Sequence, residues 1–548
     1  MLQVALADDD VGAALLLSWR TICRVLAARL GWPEPETVVR RHPGGAQCFL
    51  SAPLDALLTA TEVNEAGWMA AELVAGGHAD PDVRDLVARV RVHAQHDSRP
   101  ALVALHRAAA EHAVTFTFDD ESASLGAGVG SQTYPLTSLP APASVDWASV
   151  HDIPVALVTG SNGKTTTTRL LAAMLTAAGH VTGLTSTDGV WCAATQVATG
   201  DYAGPAGARL VLRDRRVTAA VLETARGGML RRGLATGRAA VAVVTRVSAD
   251  HMGEYGVHNL RALGEAKLLV SRALVPGGRL VLNAEDVTLV TMASALHAPI
   301  TWFALDSASP VIATHRARHG EACLLRDGEL WAISDAGDVS LGPVARMPFT
   351  LGGAARHNIA NAAAAAAAAL AMHVPVDAIR ATLARFGSTP DDNPGRLSQL
   401  EYRGARVVVD FAHNPDGWHA LSDALSSLPA VRRLVVAGQA GDRDDQALAE
   451  LAEAVWSERP DIIILKEMPK YLRGRESGAI TARLIDALLA LGVAPSAIRR
   501  TDSELAAVRL ALAESRPGDL VVLTVHEDYA GVMRLLRESG AGLLTTET

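Results

Sequence analysis

The segment VTGSNGKTTTT, Val158–Thr168, restricts this chain more than any other stretch. It closes a short apolar run, IPVALVTG (Ile153–Gly160), and opens a helix predicted over Thr165–Ala178. An apolar run of that length suits a strand buried on both faces of a parallel sheet. Gly160 and Gly163 let the backbone wrap closely around a ligand. The helix that follows aims amide N–H groups and a partial positive charge at an anion. Phosphate fits such a turn, with Lys164 set to reach the terminal phosphates and the Thr165 hydroxyl to reach Mg²⁺. Asn162 and Thr166 belong to the same loop. Only Ser161 and Asn162 separate the two glycines, so the loop is shorter than the common form with four intervening residues. The bland alternative is a glycine-rich turn carrying a surface lysine.

The strand signal recurs at AAVLE (Ala219–Glu223), AAVAVVT (Ala239–Thr245) and RLVLNAED (Arg279–Asp286). An alanine-rich helix follows over Asn361–Met372, explained by helix propensity and close packing. Near Asp391 the pattern restarts with ARVVVDFAHNP (Ala405–Pro415), RRLVVAG (Arg432–Gly438), DIIILKE (Asp461–Glu467) and DLVVLTV (Asp519–Val525). Strands alternating with helices predict an α/β chain with parallel sheets. Its 548 residues exceed one core, at roughly 150 residues per domain. The expected domains are 1–150, 151–389 and 390–548. In the first, Leu15–Leu30 and Val83–His112 have helical periodicity, and Ser122–Ser144 has the composition of a loop or linker.

Composition narrows the partners. With 50 Lys and Arg against 59 Asp and Glu, the net charge is −9, which argues against a nucleic-acid or anionic-membrane partner. Cys23, Cys48, Cys192 and Cys323 lack the spacing of a zinc or redox motif and are expected as buried thiols. MLQVALADDD lacks the basic and apolar regions of a signal peptide, and no run of 18 apolar residues occurs. A cytoplasmic location and no membrane span are expected.

TGSNGKTTT resembles the shortened phosphate loop of the Mur ligase superfamily, whose members join a carboxylate to an amine at the expense of ATP. The resemblance covers residues 151–548. It implies a Mur-ligase-like P-loop central domain and a Rossmann-like C-terminal α/β domain, with a separate mixed N-terminal domain ahead of them. TSTDGV (Thr185–Val190), TGDYAGPAGARLVL (Thr199–Leu212), LETARGGMLRRGL (Leu222–Leu234), AGDRDD (Ala440–Asp445) and LRGRESG (Leu472–Gly478) look especially like the Mur-type half of cyanophycin synthetases.

The resemblance assigns further roles. Glu223, at a predicted strand end, is implied as a Mg²⁺ ligand; otherwise it is a capping or surface carboxylate. His251 is implied as a ligand of a second metal, although a histidine beside Asp250 in a loop is usually unremarkable. Lys267 stands where many members carry a carbamoylated lysine; an ordinary helix lysine is the alternative. Asn358 is implied to hydrogen-bond adenine, with His357 lining the same site, while helix capping is the plainer reading. Arg396, Asp410, His413 and Asn414 are implied to approach the nucleotide from the C-terminal domain, which in turn implies domain closure. Arg473 and Arg475, together with Arg226, are candidates for binding a substrate carboxylate; a solvated charge run is equally open for the first two.

The implied reaction is ATP-dependent ligation through an acyl phosphate. An amino acid such as Arg would join an aspartate-containing or cyanophycin-like acceptor, and a homo-oligomer is expected by analogy. A P-loop small-molecule kinase or NTPase that makes no amide, and a non-catalytic nucleotide-binding partner, are the alternatives. A full cyanophycin synthetase carries an ATP-grasp domain between its N-terminal domain and its Mur-type part, and the residues before the phosphate loop are expected to be too few for both. His42–Leu73 faintly resembles the N-terminal domain of that family, and Ser124–Leu136 faintly resembles a segment within the ATP-grasp part.

Overall fold

A computed structural model describes residues 2–6, 10–42, 44–78, 82–250 and 252–544. The chain divides into two compact units, Met1–Asp152 with Met252–Ala262, and Ile153–His251 with Leu263–Thr548.

The first unit holds the helix Asp10–Arg29 against Leu57–Ala75, beside a three-stranded antiparallel sheet, Leu2–Ala5, Gly45–Leu50 and Thr37–His42. By length and composition alone Asp10–Arg29 is apolar enough to cross a membrane. Its residues Leu16, Trp19, Cys23 and Leu26 recur at three- and four-residue steps and are buried in this unit's core. Trp19 Nε1 donates to Asn64 Oδ1 on Leu57–Ala75 at 2.9 Å, so even the indole is satisfied internally. The helical pattern over Val83–His112 is two helices, Val83–Asp97 and Pro100–Glu111, because proline restricts the residue before it. The stretch expected as linker contains structure: its Ser122–Leu125 and Gln132–Pro135 join the preceding Phe116–Phe118 in a second antiparallel sheet. Strands of three or four residues are too short to show a period.

The second unit contains two larger sheets. Across the eleven-stranded one the order is Thr195–Thr199, Gly189–Cys192, Thr182–Ser186, Ala219–Glu223, Val155–Thr159, Ala239–Val244, Leu274–Asn283, Ile300–Ala304, Ala322–Arg326, Glu329–Ile333 and Val339–Pro343. The strands from Thr182–Ser186 to Ala322–Arg326 pair in parallel, and both edges turn antiparallel. Val155–Thr159 lies between Ala219–Glu223 and Ala239–Val244, so three strand ends converge beside the phosphate loop. Lys164–Ala177 packs against the alanine-rich helix Arg356–Ala371. The alanines from 362 to 369 are all buried, and their small side chains allow the helix to lie close to its neighbours.

The seven-stranded sheet has the order Ile498–Thr501, Ile462–Lys466, Arg433–Ala437, Leu520–Thr524, Ala405–Asp410, Ser398–Tyr402 and Gly542–Leu543. Its first five strands pair in parallel and carry apolar cores on both faces, as their near-continuous apolar runs require. All four cysteines are free and buried. Burial pushes Cys23, Cys192 and Cys323 up to about 12 and Cys48 up to about 11, which makes them poor nucleophiles.

Candidate active site

The phosphate loop is held from below by the neighbouring strand end. Thr245 Oγ1 donates to the Asn162 carbonyl at 2.6 Å, and Ser161 N donates to the Arg246 carbonyl at 2.8 Å. A Cβ at Gly160 would come within 1.8 Å of Thr245 Oγ1, so only glycine fits this approach. Gly163 takes a left-handed φ of 83° immediately before the helix. The Lys164 ammonium donates to the carbonyls of Gly160 and Ser161 at 3.1 and 2.9 Å, which keeps it over the loop.

Behind the loop, Thr165 Oγ1 donates to Glu223 Oε2 at 2.9 Å. Glu223 is 1% exposed, and its other oxygen, Oε1, has no hydrogen-bond partner. Burial pushes this carboxyl up; Lys164, Thr165 and Arg396 pull it back, and Asp188 adds to the rise. Lys267, 4% exposed, is held well below the ordinary lysine value by burial first, then by Lys164 and Arg226, against the favourable pull of Asp250. Thr166 accepts a hydrogen bond from Asn393 Nδ2 at 3.2 Å.

The other face of the loop meets the lobe built on the seven-stranded sheet. Asn162 Nδ2 donates to Asp416 Oδ2 at 2.7 Å, and Asn414 Nδ2 donates to Asn162 Oδ1 at 3.2 Å. Asp416 also pairs with Arg246 at 2.9 Å and accepts from Ser248 Oγ at 3.1 Å. Asn414 caps the helix Pro415–Ser426 by accepting from Gly417 N. A second bridge joins Arg443 to Asp250 at 3.1 Å, with both side chains mostly buried.

Asp410 accepts from the amides of Leu397 and Ala412, both at 2.9 Å, and so ties the Arg396 turn to the strand end. Burial raises its carboxyl; Arg396, His357 and those two amides oppose the rise. Arg396 stacks over Phe411 at 4.3 Å. His413 Nδ1 lies 3.1 Å from the Phe411 carbonyl.

The structure therefore brings Gly160, Asn162, Gly163, Lys164, Thr165, Thr166, Glu223, Lys267, Arg226, Arg396, Asp410, His413 and Asn414 to one region of the second unit. Other candidate residues make contacts within the protein or lie at its surface. Asn358 is 2% exposed; it donates to the Phe349 carbonyl at 2.7 Å and accepts from Asn361 Nδ2 at 3.2 Å. Arg475 binds the carbonyls of Gly441 and Arg443, and so shapes the loop that presents Arg443 to Asp250. Arg473 is exposed and lies over Tyr471 at 5.4 Å. His357 is intermediate in exposure, its Nδ1 is buried without a partner, and burial lowers its pKa. His251 lies outside the described residues. Among the described residues no three His, Cys, Asp or Glu side chains group as a metal cage. Sequence reasoning missed Arg246, Asn393, Asp416 and Arg443, although Arg443 stands inside AGDRDD and Asp416 directly follows ARVVVDFAHNP.

A phosphate loop in one α/β lobe is thus hydrogen-bonded to the strand-end loops of a second. Residues 158–369 match the Mur ligase middle domain, and residues 395–524 match the Mur ligase glutamate ligase domain. The chain belongs to the Mur ligase family, whose relatives found here are ATP-dependent carbon–nitrogen ligases. It is 38% identical over 333 residues to a cyanophycin synthetase of Synechocystis sp., which covers 61% of this chain and 38% of that protein. It thus spans well under half the length of that relative. It is 29% identical over 385 residues to a UDP-N-acetylmuramoyl-L-alanyl-D-glutamate–2,6-diaminopimelate ligase of Gloeobacter violaceus, covering 68% of this chain and 72% of that one. The solved structure of E. coli FolC in complex with ADP has the same fold, with a TM-score of 0.51 and 23% identity over 71% of this chain and 90% of that one.

Proposed function

We propose that this chain joins an amine to a carboxylate through an acyl phosphate. An amino acid such as Arg serves as the amine, and an aspartate-containing or cyanophycin-like molecule as the acceptor. The reading rests above all on the hydrogen bonds that join Asn162, at the crest of the phosphate loop, to Asn414 and Asp416 of the other lobe. They hold the loop beside the lobe that carries Arg396 and Asp410, which supports a nucleotide's terminal phosphate meeting an acid between them. The carboxylate oxygen attacks the γ-phosphorus and ADP leaves; the amine then attacks the carbonyl carbon, and phosphate leaves with the oxygen that came from the acid. Lys164 and Arg396 offset the repulsion between two anionic reactants. Burial between the lobes keeps water from the acyl phosphate.

Glu223 and Thr165 fit a divalent cation. Their donors are hard oxygens, and Glu223 Oε1 is a buried carboxylate atom with no partner in the protein. Mg²⁺ bound there supplies positive charge to the phosphate oxygens during transfer. His251 and Lys267 complete the proposed ligand set. Burial disfavours the Lys267 ammonium, and a neutral amine is the form that takes up CO₂ as a carbamate, which offers oxygen donors. Arg226, mostly buried at the start of the helix Arg226–Arg232, is a candidate to bind the acid substrate, as are Arg473 and Arg475. The same reading has the chain working as a cytoplasmic homo-oligomer without nucleic acid or membrane.

The test is an ADP-release screen of carboxylic acids against amino acids, with mass spectrometry of the hits and hydroxylamine as a trap. The expected product is the acid plus the amine less one water, with a hydroxamate when hydroxylamine replaces the amine. A stable phosphorylated product, with no amide and no hydroxamate, would make the protein a kinase instead.

A further inference from the structure

At the strand ends of the seven-stranded sheet lies a buried ion pair that the reaction above does not use. Lys466 is 1% exposed and closes the strand Ile462–Lys466. Its ammonium donates to Glu504 Oε2 and to the Thr524 carbonyl. Glu504 opens the helix Glu504–Glu514 and accepts from the backbone amides of His526, Glu527 and Asp528 at 2.6, 3.1 and 2.9 Å. Burial alone would push the Glu504 carboxyl up; Lys466 and these amides hold it below the ordinary range, so it stays ionised. The backbone makes room for the lysine at Gly438, where a Cβ would come within 2.7 Å of Lys466 Cγ.

A buried pair of this kind is weak evidence for stability, because desolvation offsets its attraction. What it fixes is the loop after Leu520–Thr524, and that loop faces the candidate nucleotide residues. His526 is held neutral by burial, and its Nε2 lies 3.1 Å from the Ala412 carbonyl, next to His413. Its ring meets Phe411 edge-on at 5.1 Å, and Arg396 stacks over that same Phe411 at 4.3 Å. The Tyr529 ring lies against Gly395, where a Cβ would approach it to 3.3 Å. Both the platform beneath Arg396 and the turn before it thus touch the segment that Glu504 holds.

We infer that Lys466 and Glu504 are positioning residues that act through Arg396: they lock the 526–529 loop, and the loop sets where the guanidinium meets a nucleotide's phosphates. This inference rests on the proposed placement of Arg396 at the nucleotide.

The test is a cycle of Mg·ADP affinities by titration calorimetry on the full chain. Its members are wild type, Arg396→Ala, the neutral pair Lys466→Met with Glu504→Gln, and the triple variant. The neutral pair is expected to weaken ADP binding about tenfold, and to cost nothing further once Arg396 is alanine. Losses that multiply in the triple variant, or wild-type affinity in the neutral pair, would overturn the inference. Should the neutral pair unfold, Gly438→Ala presses on both the stem and the backbone carbonyl of Lys466 with both charges kept. It must then show the same loss, again absent in the Arg396→Ala background; a loss indifferent to residue 396 marks a merely structural role and sinks the inference. A wild type that binds no ADP would bring down the functional reading itself, which an additive cycle would leave standing.

Discussion

Lys164→Ala is expected to lower acid-dependent ADP release by about 10³ while leaving the fold intact. Lys164 opens the helix Lys164–Ala177, and alanine there is at least as good a helix former. Its ammonium makes no ion pair among the described residues and bonds only to the carbonyls of Gly160 and Ser161, both in its own loop. Little folding energy is therefore lost, and the thermal midpoint should stay near that of wild type. The charge lost, by contrast, is the one closest to the turn that would cradle the phosphates. The loss should fall mainly on kcat, because charge moves onto the phosphate oxygens in the transition state. ADP release within a few-fold of wild type would remove the phosphate loop from the chemistry.

Glu223→Gln should separate stability from activity. Burial raises the carboxyl of Glu223 in the folded protein above its value in the unfolded chain. The folded state therefore holds that proton more tightly. The stability this contributes is complete below the ordinary carboxylate range, about pH 4.3, and is lost as pH rises through the raised folded value. Without Mg²⁺, wild-type stability should decline across that window, and the glutamine variant should lack this component of the decline. Glutamine keeps an acceptor for Thr165 and has no charge to bury. At neutral pH without Mg²⁺ the variant is expected to be more stable by about 1–3 kcal/mol. Added Mg²⁺ should stabilise wild type more than the variant, and ADP release by the variant should fall by about 10² or more. Urea melts between pH 5 and 8, with and without Mg²⁺, read both effects. Equal Mg²⁺ responses in the two proteins would take Glu223 out of the cation site.

Much of this was legible in the residues. The strand at Val155–Thr159 and those at Ala405–Asp410, Arg433–Ala437, Ile462–Lys466 and Leu520–Thr524 are buried on both faces, and burial of that kind writes itself as a continuous apolar run. The phosphate loop was legible because glycine and lysine at a strand–helix turn leave few alternatives. What stayed hidden was set by distance along the chain. Asn162 and Asp416 are 254 residues apart, and no local pattern announces that their side chains meet. Arg475 looks like a ligand-binding arginine in sequence; only the path of the 441–445 loop turns its guanidinium onto backbone carbonyls. The strands Ser122–Leu125 and Gln132–Pro135 have the composition of a linker because they are rich in small and polar residues and too short to alternate visibly.

The central claim is that an acid takes the nucleotide's terminal phosphate before nitrogen displaces it. Once the screen has identified an acid, that acid carrying ¹⁸O in its carboxylate follows the oxygen directly. With Mg·ATP and the amine, mass spectrometry should find one ¹⁸O transferred to each phosphate released, and the other retained in the amide. Released phosphate free of label, with both labelled oxygens still on the acid, would contradict the account.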